Sequence, residues 1–400
     1  MGPSLGEVSV KKRHVLFGAV LLFGAVGCSD SKSGSTTTSA PGGASSITVG
    51  VLAPQTGFAA NYGPEAQQGI DLALAELGVD SSVTVKIVTA DEDVLDPSAT
   101  LERLKKMVET DGADVVIGPV FGSTQQAVAP YLAGKGVPWF SFLGAGTDLA
   151  TKGSAFIWPG ADALTAAPLG EYAATDLHYK KIATLAPDYA YGHDVITGAT
   201  DAFKAAGGQV VQQQWVPLGT TDMLQYATSM DKSVDALLMW LVPSDAAAFV
   251  REYRNLGIKV PLLMFQGVFD PTFQEVGSQL LGEIGLNEYN PNLDNAANKA
   301  FVAAYKAKYG GGIPNQTTAF AYTVMKVIVA GVEKSGGDTS LKGLRTAISG
   351  LKLDTVIGPA TYSADGIASS NRTIVKAAKA ADGTYLWEPV KTYEGVGAPK

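Results

Sequence analysis

Two short loops of small residues carry the most suggestive chemistry in this chain. Gly122-Ser123-Thr124 and Gly144-Ala145-Gly146-Thr147 each follow a short apolar run, at 115–117 and 139–143. Hydroxyl groups and the free backbone amides at the start of a helix are donors that hold an anion such as a carboxylate. The two loops therefore predict half of a binding cleft for a small anionic molecule.

The residues around these loops predict a βαβ unit. The run 115–117 is rich in β-branched residues and is stopped by Gly118-Pro119, as in a strand buried on both faces. Ser123 is interpreted as the N-cap of a helix over about 125–132, with Gln126 as its capping-box partner. The second run then forms a parallel neighbouring strand. Both loops consequently lie at carboxyl ends of strands, where α/β sheets bind ligands.

The same order of elements occurs twice along the chain. Strands over 47–53, 83–89 and 115–117 alternate with helices over 65–77 and 97–110, and residues 182–242 repeat this plan. Further helices are predicted over 246–256, 296–309 and 317–335, with a strand at 262–266 and strands again after residue 351. The pattern predicts an α/β protein with two Rossmann-like lobes around parallel central sheets.

Several classes of function are excluded by what the sequence lacks. No G-x-S-x-G, P-loop or H-E-x-x-H motif occurs, and the single cysteine allows neither a disulfide framework nor a Cys-rich metal site. Asp91-Glu92-Asp93 fails the calcium-loop pattern and is interpreted as a solvated acidic turn. The formal charge of −8 argues against nucleic-acid binding. We expect no enzyme activity, no cofactor and no metal.

The N-terminus has the order of an export signal. Lys11-Lys12-Arg13 precede an uncharged run over 15–26, shorter than the ~20 residues of a spanning helix. The run ends in Ala25-Val26-Gly27-Cys28, which resembles the bacterial lipobox. We predict a lipoprotein signal peptide at 1–27, lipidation of Cys28 and a flexible tether at 28–46. The protein would be extracytoplasmic and anchored to the cell membrane. An ordinary secretory leader with an incidental cysteine is the alternative.

Over about residues 47–395 the chain resembles the type I periplasmic binding proteins of the branched-chain amino acid (Leu/Ile/Val) group. The resemblance rests on the order of ITVGVLAPQTGFAANYG, DVVIGPVFGSTQQAVAPYLAGKGVPWFS, KKIATLAPDYAYGHDV, AAAFVREYRNLGIKVPLL and GPATYSADG. It implies two lobes, joined by three crossover segments, that close over a small ligand and deliver it to an ABC permease. The lobes would comprise 47–160 plus 289–350 and 161–288 plus 351–400.

The resemblance also implies a set of ligand-binding residues. Tyr62 would stack on the ligand, Ser123 with Thr124 would hold its carboxylate, and Tyr191 would close over it from the second lobe. The second carboxylate loop leaves open whether Ala145, Gly146 or Thr147 donates the hydrogen bond. Trp240, Leu241 and Gln266 would line the opposite side of the cleft. A surface-loop role for Tyr62 is the structural alternative.

Gln266 stands where the resemblance implies an acidic residue that pairs the ammonium group of an amino acid. A buried ammonium without an anionic partner costs on the order of 3–5 kcal/mol. We therefore expect an aromatic or aliphatic acid, or a neutral amide-like compound, rather than a free amino acid. The expectation reverses if Asp270 or Asp188 supplies the missing charge.

The sequence thus predicts a monomeric, lipid-anchored solute-binding protein of an ABC importer, with a small organic acid, amino acid or amide-like ligand. A ligand-sensing receptor subunit of the same fold, signalling to a membrane or regulatory partner, is the alternative. A DNA-binding repressor of similar fold would need a basic helix-turn-helix where the leader stands. A lipoprotein enzyme would need a nucleophile–base pair, which the sequence lacks.

Overall fold

Strands and helices alternate around two separate β-sheets. The computed structural model describes residues 45–78, 81–266 and 272–399. The predicted leader at 1–27, Cys28, almost all of the tether and Asp270 lie outside the described residues. No helix in the described part of the chain is long and apolar enough to cross a membrane.

The first sheet is fully parallel, with strand order β2-β1-β3-β4-β5. Its strands are β1 (Ser45–Ala53), β2 (Val83–Asp91), β3 (Val115–Ile117), β4 (Trp139–Ser141) and β5 (Ala155–Ile157). The helices between them are α1 (Tyr62–Leu77), α2 (Pro97–Glu109), α3 (Gly122–Lys135) and α4 (Thr147–Thr151). Every residue of β3, β4 and β5 is buried, as expected for strands covered on both faces. The βαβ unit predicted from β3, α3 and β4 is confirmed.

The second sheet combines a parallel half with an antiparallel half, in the order β11-β12-β13-β10-β9-β8-β6-β7, with β14 beside β13. Its parallel strands are β6 (Lys181–Pro187), β7 (Gln209–Val216), β8 (Ala236–Met239), β9 (Leu262–Phe265) and β10 (Ile284–Asn287). The antiparallel strands are β11 (Lys352–Thr355), β12 (Gly358–Tyr362), β13 (Ala368–Lys379) and β14 (Tyr385–Val396). The helices along this half of the chain are α5 (Asp162–Thr175), α6 (Ala190–Ala205), α7 (Leu224–Thr228), α8 (Pro243–Asn255) and α9 (Thr272–Leu280).

Three later helices return to the first sheet. They are α10 (Ala296–Lys308), α11 (Gln316–Lys334) and α12 (Leu341–Ile348). Helix α11 is buried along almost its whole length, as its long apolar run predicts, and it packs on α1. Gly69 allows this close approach, because a Cβ there would overlap the carbonyl oxygen of Thr318. Asn315 caps α11 by accepting a hydrogen bond from the Thr318 amide at 3.0 Å.

The chain passes three times between the hydrophobic core at the first sheet (the first core) and the hydrophobic core at the second sheet (the second core). One follows β5, one follows β10, and one lies within β13, where Ala368 belongs to the first core and Ile374 to the second. The apolar residues of β12 and of the turn before it also pack in the first core, beside Trp158. The segment after residue 350 therefore contributes to both cores.

The start of α3 differs from its prediction. The helix begins at Gly122, its N-cap is Phe121, and no side chain caps it. Ser123 lies inside the first turn, so the capping box between Ser123 and Gln126 is wrong. The structural reason is Glu92, at the end of β2, whose carboxylate accepts hydrogen bonds from the amides of Val120 at 2.7 Å and Phe121 at 2.9 Å. A buried carboxylate beyond the end of another strand thus fixes the loop before the helix, while the amides of the first turn of α3 receive no side-chain cap.

Candidate functional site

The predicted ligand-binding residues gather where the carboxyl ends of the two sheets face each other. Tyr62 begins α1 after β1, while Ser123 and Thr124 lie in the first turn of α3 after β3. Ala145 and Gly146 follow β4. Tyr191, Trp240 and Gln266 follow β6, β8 and β9 of the second sheet. The site thus forms at the edge where parallel α/β sheets bind ligands.

Glu92 organises the loop that precedes α3. It was interpreted as part of a solvated acidic turn, but the residue is only 1 % exposed. Besides the two amides, its carboxylate contacts the hydroxyl group of Thr124, which also lies 2.7 Å from the carbonyl oxygen of Phe121. Burial raises the pKa of Glu92 to about 7, although the hydrogen bonds from Thr124, Val120 and Phe121 oppose that rise.

This arrangement separates the roles of Ser123 and Thr124. The Thr124 hydroxyl is buried and engaged with Glu92, so its side chain stabilises the loop. Ser123 is half-buried, and its hydroxyl makes no hydrogen bond to any residue that the structure describes. Of the two side chains, Ser123 is the one whose hydroxyl is available to a ligand.

The second small-residue loop, which begins at Gly144, is held by hydrogen bonds and lies against α5. The carbonyl oxygen of Gly144 accepts hydrogen bonds from Gln125 Nε2 at 3.1 Å and from the hydroxyl of Ser141. Gly144 has φ +90°, and a Cβ there would overlap the carboxyl group of Asp162. The Asp162 amide in turn donates to the carbonyl oxygen of Ala145 at 3.1 Å. The loop therefore requires glycine at 144 for both its backbone conformation and its contact with Asp162.

Asp162 is a buried carboxyl group beside the cleft. It is 3 % exposed, and its Oδ1 atom has no hydrogen-bond partner among the described residues. Burial raises its pKa well above the usual value, and the nearby carboxylates of Asp194 and Glu288 add to this rise. Asp162 was not predicted from the sequence, because no local sequence pattern shows that it lies against Gly144.

Aromatic side chains from both lobes meet across the cleft. Phe121 lies 5.8 Å from Tyr62 and 6.1 Å from Tyr189 between ring centroids, which joins the first lobe to the second. Trp240 packs edge-on against Tyr191 at 4.8 Å and contacts Tyr189 at 5.9 Å. Burial raises the pKa of Tyr62, Tyr189 and Tyr191, so their hydroxyl groups keep their hydrogens at neutral pH.

Leu241 does not join this aromatic set. It belongs to the hydrophobic core on one side of the second sheet, while Trp240 packs in the core on the other. Both residues follow the end of β8 at Met239, and among them only Trp240 contacts Tyr189 and Tyr191. That Leu241 lines the cleft stays a prediction.

Gln266 is the centre of a hydrogen-bond network at the second-lobe end of the cleft. Its backbone has φ +59°, a left-handed conformation that is uncommon for residues other than glycine. Its Nε2 donates to the Tyr191 hydroxyl at 2.7 Å and to Glu288, and its Oε1 accepts from Trp240 Nε1 at 3.1 Å. Non-glycine residues in this conformation are concentrated at functional sites.

Glu288 and Arg372 form a buried ion pair behind Gln266. Their side chains are 2 % and 0 % exposed, and Arg372 Nε lies 3.3 Å from Glu288 Oε1. Gln316 Nε2 also donates to Glu288, at 3.1 Å. The sequence analysis missed both charged residues, since the strand that ends beside Glu288 was not predicted. The side of the cleft at Gln266 therefore carries no net charge, because the opposite charges of Glu288 and Arg372 cancel.

Asp188 already has a partner in the second lobe. Its carboxylate lies 2.8 Å from His193 Nε2, and both side chains are about half exposed. The imidazole ring of His193 packs on Trp215 at 3.9 Å. That Asp188 supplies the acid missing at 266 stays a prediction. Asp270 lies outside the described residues.

The site contains no recognisable metal centre. Across residues 45–78, 81–266 and 272–399, no group of three or more His, Cys, Asp or Glu side chains is placed to hold a metal ion. The polar groups at the site are amides, hydroxyls, buried carboxyl groups and one guanidinium. Such a set suits the reversible binding of a small organic molecule.

Comparison with known proteins agrees with this geometry. The family model described as periplasmic binding protein matches residues 46–384. A Leu/Ile/Val-binding protein homologue of Brucella suis biovar 1 is 27% identical over 370 residues, covering 88% of this chain and 93% of the relative.

Solved structures show the same fold. The solute-binding protein of an ABC transporter from Rhodopseudomonas palustris HaA2, in complex with p-hydroxybenzoic acid, has a TM-score of 0.81. It is 24% identical and covers 88% of this chain and 97% of its own. A leucine-binding protein from Thermotoga maritima MSB8 has a TM-score of 0.75 and 20% identity, covering 87% of this chain and 99% of its own.

The fold and site define an extracytoplasmic solute-binding protein, not an enzyme. The chain belongs to the periplasmic binding protein family, within the type I, branched-chain amino acid group that the sequence suggested.

Proposed function

We propose that this protein is the lipid-anchored solute-binding protein of an ABC importer and that it binds a small carboxylated molecule between its lobes. The observation that carries the proposal is the convergence of Ser123, Tyr62 and the Gly144–Gly146 loop from one lobe with Tyr191, Trp240 and Gln266 from the other. Both sets are needed to surround one ligand, so binding is coupled to closure of the lobes.

The ligand carboxylate would bind at the first lobe. The Ser123 hydroxyl, the amides of the first turn of α3 and the amides near Ala145 and Gly146 are its donors. The aromatic side chains from Tyr62 to Trp240 form walls that suit a planar or branched apolar body. We favour an aromatic or aliphatic acid, in keeping with the p-hydroxybenzoic acid named for the structural relative.

A free amino acid is the second candidate, and Asp162 is the observation that favours it. Its unpartnered Oδ1 lies beside Gly144, so an ammonium group next to the bound carboxylate would be within its reach. The curated relatives named as Leu/Ile/Val-binding proteins point the same way. The two candidates differ in whether Asp162 must ionise when the ligand binds.

Calorimetry with matched pairs of ligands tests the proposal. We would compare leucine with 4-methyl-2-oxopentanoate, and phenylalanine with 3-phenylpropanoate, on wild-type protein, Ser123→Ala and Asp162→Asn. The organic-acid proposal expects the deaminated ligands to bind, Ser123→Ala to weaken them about tenfold by loss of a charge-assisted hydrogen bond, and Asp162→Asn to leave them nearly unchanged. Binding of leucine that Asp162→Asn abolishes would establish the amino acid instead.

The remaining features of the proposal concern the lobes and the membrane. We propose that 47–160 plus 289–350 and 161–288 plus 351–400 form the two lobes, with the apolar residues of β12 packed in the core of the first lobe. Lipidated Cys28 and a tether that ends where β1 begins, at Ser45, would hold a monomeric binding domain at the outer face of the cell membrane, beside its permease. The low-complexity composition of the tether supports its role as a flexible spacer.

A further inference from the structure

The network around Gln266 has a fixed direction. Glu288 Oε2 is an acceptor, so the Gln266 atom that faces it must be the amide nitrogen. Trp240 Nε1 is only a donor, so the atom that faces it must be the Gln266 oxygen. Exchanging the two amide atoms would oppose oxygen to carboxylate and nitrogen to indole N–H. The orientation of this amide therefore follows from its neighbours.

The ion pair between Glu288 and Arg372 keeps the Gln266 amide from reversing its orientation. Gln266 Nε2 and Gln316 Nε2 donate hydrogen bonds to the Glu288 carboxylate, and the Arg372 guanidinium, 3.3 Å away, pairs with its charge. Arg372 is itself fixed by hydrogen bonds from its Nη1 to Ser370 Oγ and to the carbonyl oxygen of Asn371, both at 2.8 Å. A carboxylate paired in this way remains an acceptor, and it orients the second N–H of Gln266 toward Tyr191.

Tyr191 receives the last hydrogen bond of the series. Its hydroxyl oxygen accepts from Gln266 Nε2 at 2.7 Å, and among the described residues its own hydrogen has no acceptor. Burial raises the pKa of Tyr191 well above its usual value, so the hydroxyl keeps this hydrogen. The side chain lies in the aromatic set of the cleft, between Trp240 and Tyr189. It thus offers the cleft a donor.

We propose that Glu288, paired with Arg372, acts through Gln266 to make Tyr191 a hydrogen-bond donor toward the ligand. The cleft consequently selects carboxylic acids whose second polar group is an acceptor oxygen, such as a carbonyl. A glutamate at 266 would have the opposite effect, because Tyr191 would donate to it and present only lone pairs to the ligand. This inference rests on the proposed function for the ligand's carboxylate, but the direction of the network can be tested without a ligand.

The binding test uses three benzoates of nearly equal shape: 4-acetylbenzoate, 4-isopropylbenzoate and 4-(1-aminoethyl)benzoate. On wild-type protein we expect the acetyl compound to bind about tenfold more tightly than the isopropyl compound, as one buried hydrogen bond allows, and the ammonium compound to bind most weakly. Tyr191→Phe should bring the acetyl compound down to the isopropyl value and leave the latter unchanged. Tyr131→Phe, which removes a phenol that donates to Glu109 in the later part of α3, is the control and should keep the wild-type ratio.

Two further variants test the positioning roles. Gln266→Glu should reverse the order, so that the ammonium compound binds better than the acetyl compound. The double variant Glu288→Gln/Arg372→Met, which removes both charges together, should reduce the preference for acetyl and retain the isopropyl affinity. An acetyl preference that survives Tyr191→Phe, or an unchanged order in Gln266→Glu, would overturn the inference.

A Raman measurement on the ligand-free protein separates this inference from the proposed function. The intensity ratio of the tyrosine Fermi doublet distinguishes a phenol that accepts a hydrogen bond from one that donates. The difference between wild type and Tyr191→Phe should show an accepting Tyr191, and the same difference in the Gln266→Glu background should show a donating one. A Tyr191 that donates without accepting a hydrogen bond in the wild type refutes the network. If none of the benzoates binds, the proposed preference for an acceptor oxygen is refuted. That result also counts against the proposed ligand class, whichever Raman intensity ratio is observed.

Discussion

The carboxylate of Glu92 accepts a hydrogen bond from the backbone amide of Phe121, the residue that caps α3, although Glu92 lies at the end of a different strand. This contact holds the loop that presents Ser123 to the cleft. A negative charge on Glu92 also lies close to the place where we propose that a ligand carboxylate binds. The protonation state of Glu92 therefore affects both stability and binding.

The stability of the protein should depend on pH through Glu92. Its pKa is raised to about 7 in the folded state, so between pH 4.5 and 7 the folded chain binds more protons than the unfolded chain. Stability from this group is greatest below the unfolded pKa and declines as pH rises toward 7, by on the order of 3 kcal/mol at most. Denaturation by urea at pH 5 and pH 8 measures this change.

Glu92→Gln should remove the part of the pH dependence that belongs to Glu92. The destabilisation caused by the substitution should be larger at pH 5 than at pH 8, because the variant lacks the titration that lowers the stability of the wild type as the pH rises. Glu109→Gln, at an exposed ion pair with Lys135, is the matched control and should leave the pH profile almost unchanged. A pH profile of Glu92→Gln identical to that of the wild type would show that Glu92 does not titrate in this window.

Gly144 should be intolerant of alanine. The substitution places a Cβ at φ +90° and against the carboxyl group of Asp162, so we expect a loss of stability of about 1–3 kcal/mol and weaker ligand binding. Gly134→Ala is the control, because this residue lies within α3 with open space around its Cα and should gain about 0.5–1 kcal/mol. Equal melting temperatures for the two variants would contradict the role assigned to Gly144.

The sequence was sufficient for features that are encoded locally. The short apolar run at β3, its Gly-Pro stop and the following small residues together predicted the βαβ unit and placed Ser123 at the cleft. Glu92 was misinterpreted because an acidic run beside a turn normally faces water. Its burial depends on two amides and a hydroxyl that the β3–α3 connection brings to it. Glu288 and Arg372 were also missed, because their contact depends on the pairing of β10 with β13, which no local sequence pattern shows.

Gln266 shows the limit of reasoning from one position. Its neutral side chain predicted an unusual cleft wall, but the charge of that wall depends on Glu288 and Arg372 behind it. A ligand class inferred from Gln266 alone omitted both charges, as well as the carboxyl group of Asp162.

Cys28→Ser should release the protein from the membrane fraction without lowering its melting temperature. The predicted tether separates the lipid anchor from the folded domain, so loss of the anchor removes no contact from either core. Fractionation at high salt, followed by thermal denaturation of the purified protein, measures both quantities. A Ser29→Ala variant tests whether the effect belongs to the cysteine. Retention of Cys28→Ser in membranes after a high-salt wash would contradict lipid anchoring.

Gly122 should control closure of the lobes. It begins α3, and a Cβ at this position would lie 3.1 Å from the Cβ of Ala190 and 3.2 Å from the backbone nitrogen of Tyr191, both in α6 of the opposite lobe. Gly122→Leu therefore inserts a side chain where the lobes meet, while its backbone conformation remains accessible to leucine. We expect the ligand-saturated variant to show a larger radius of gyration by small-angle scattering than the ligand-saturated wild type. Its affinity should fall by about tenfold or more, because Ser123 and Tyr191 can no longer contact one ligand together. Ala127→Leu, a half-buried position later in α3, is the control for added volume on the same helix. Compaction of Gly122→Leu equal to that of the wild type would show that ligand binding does not require this contact between the lobes.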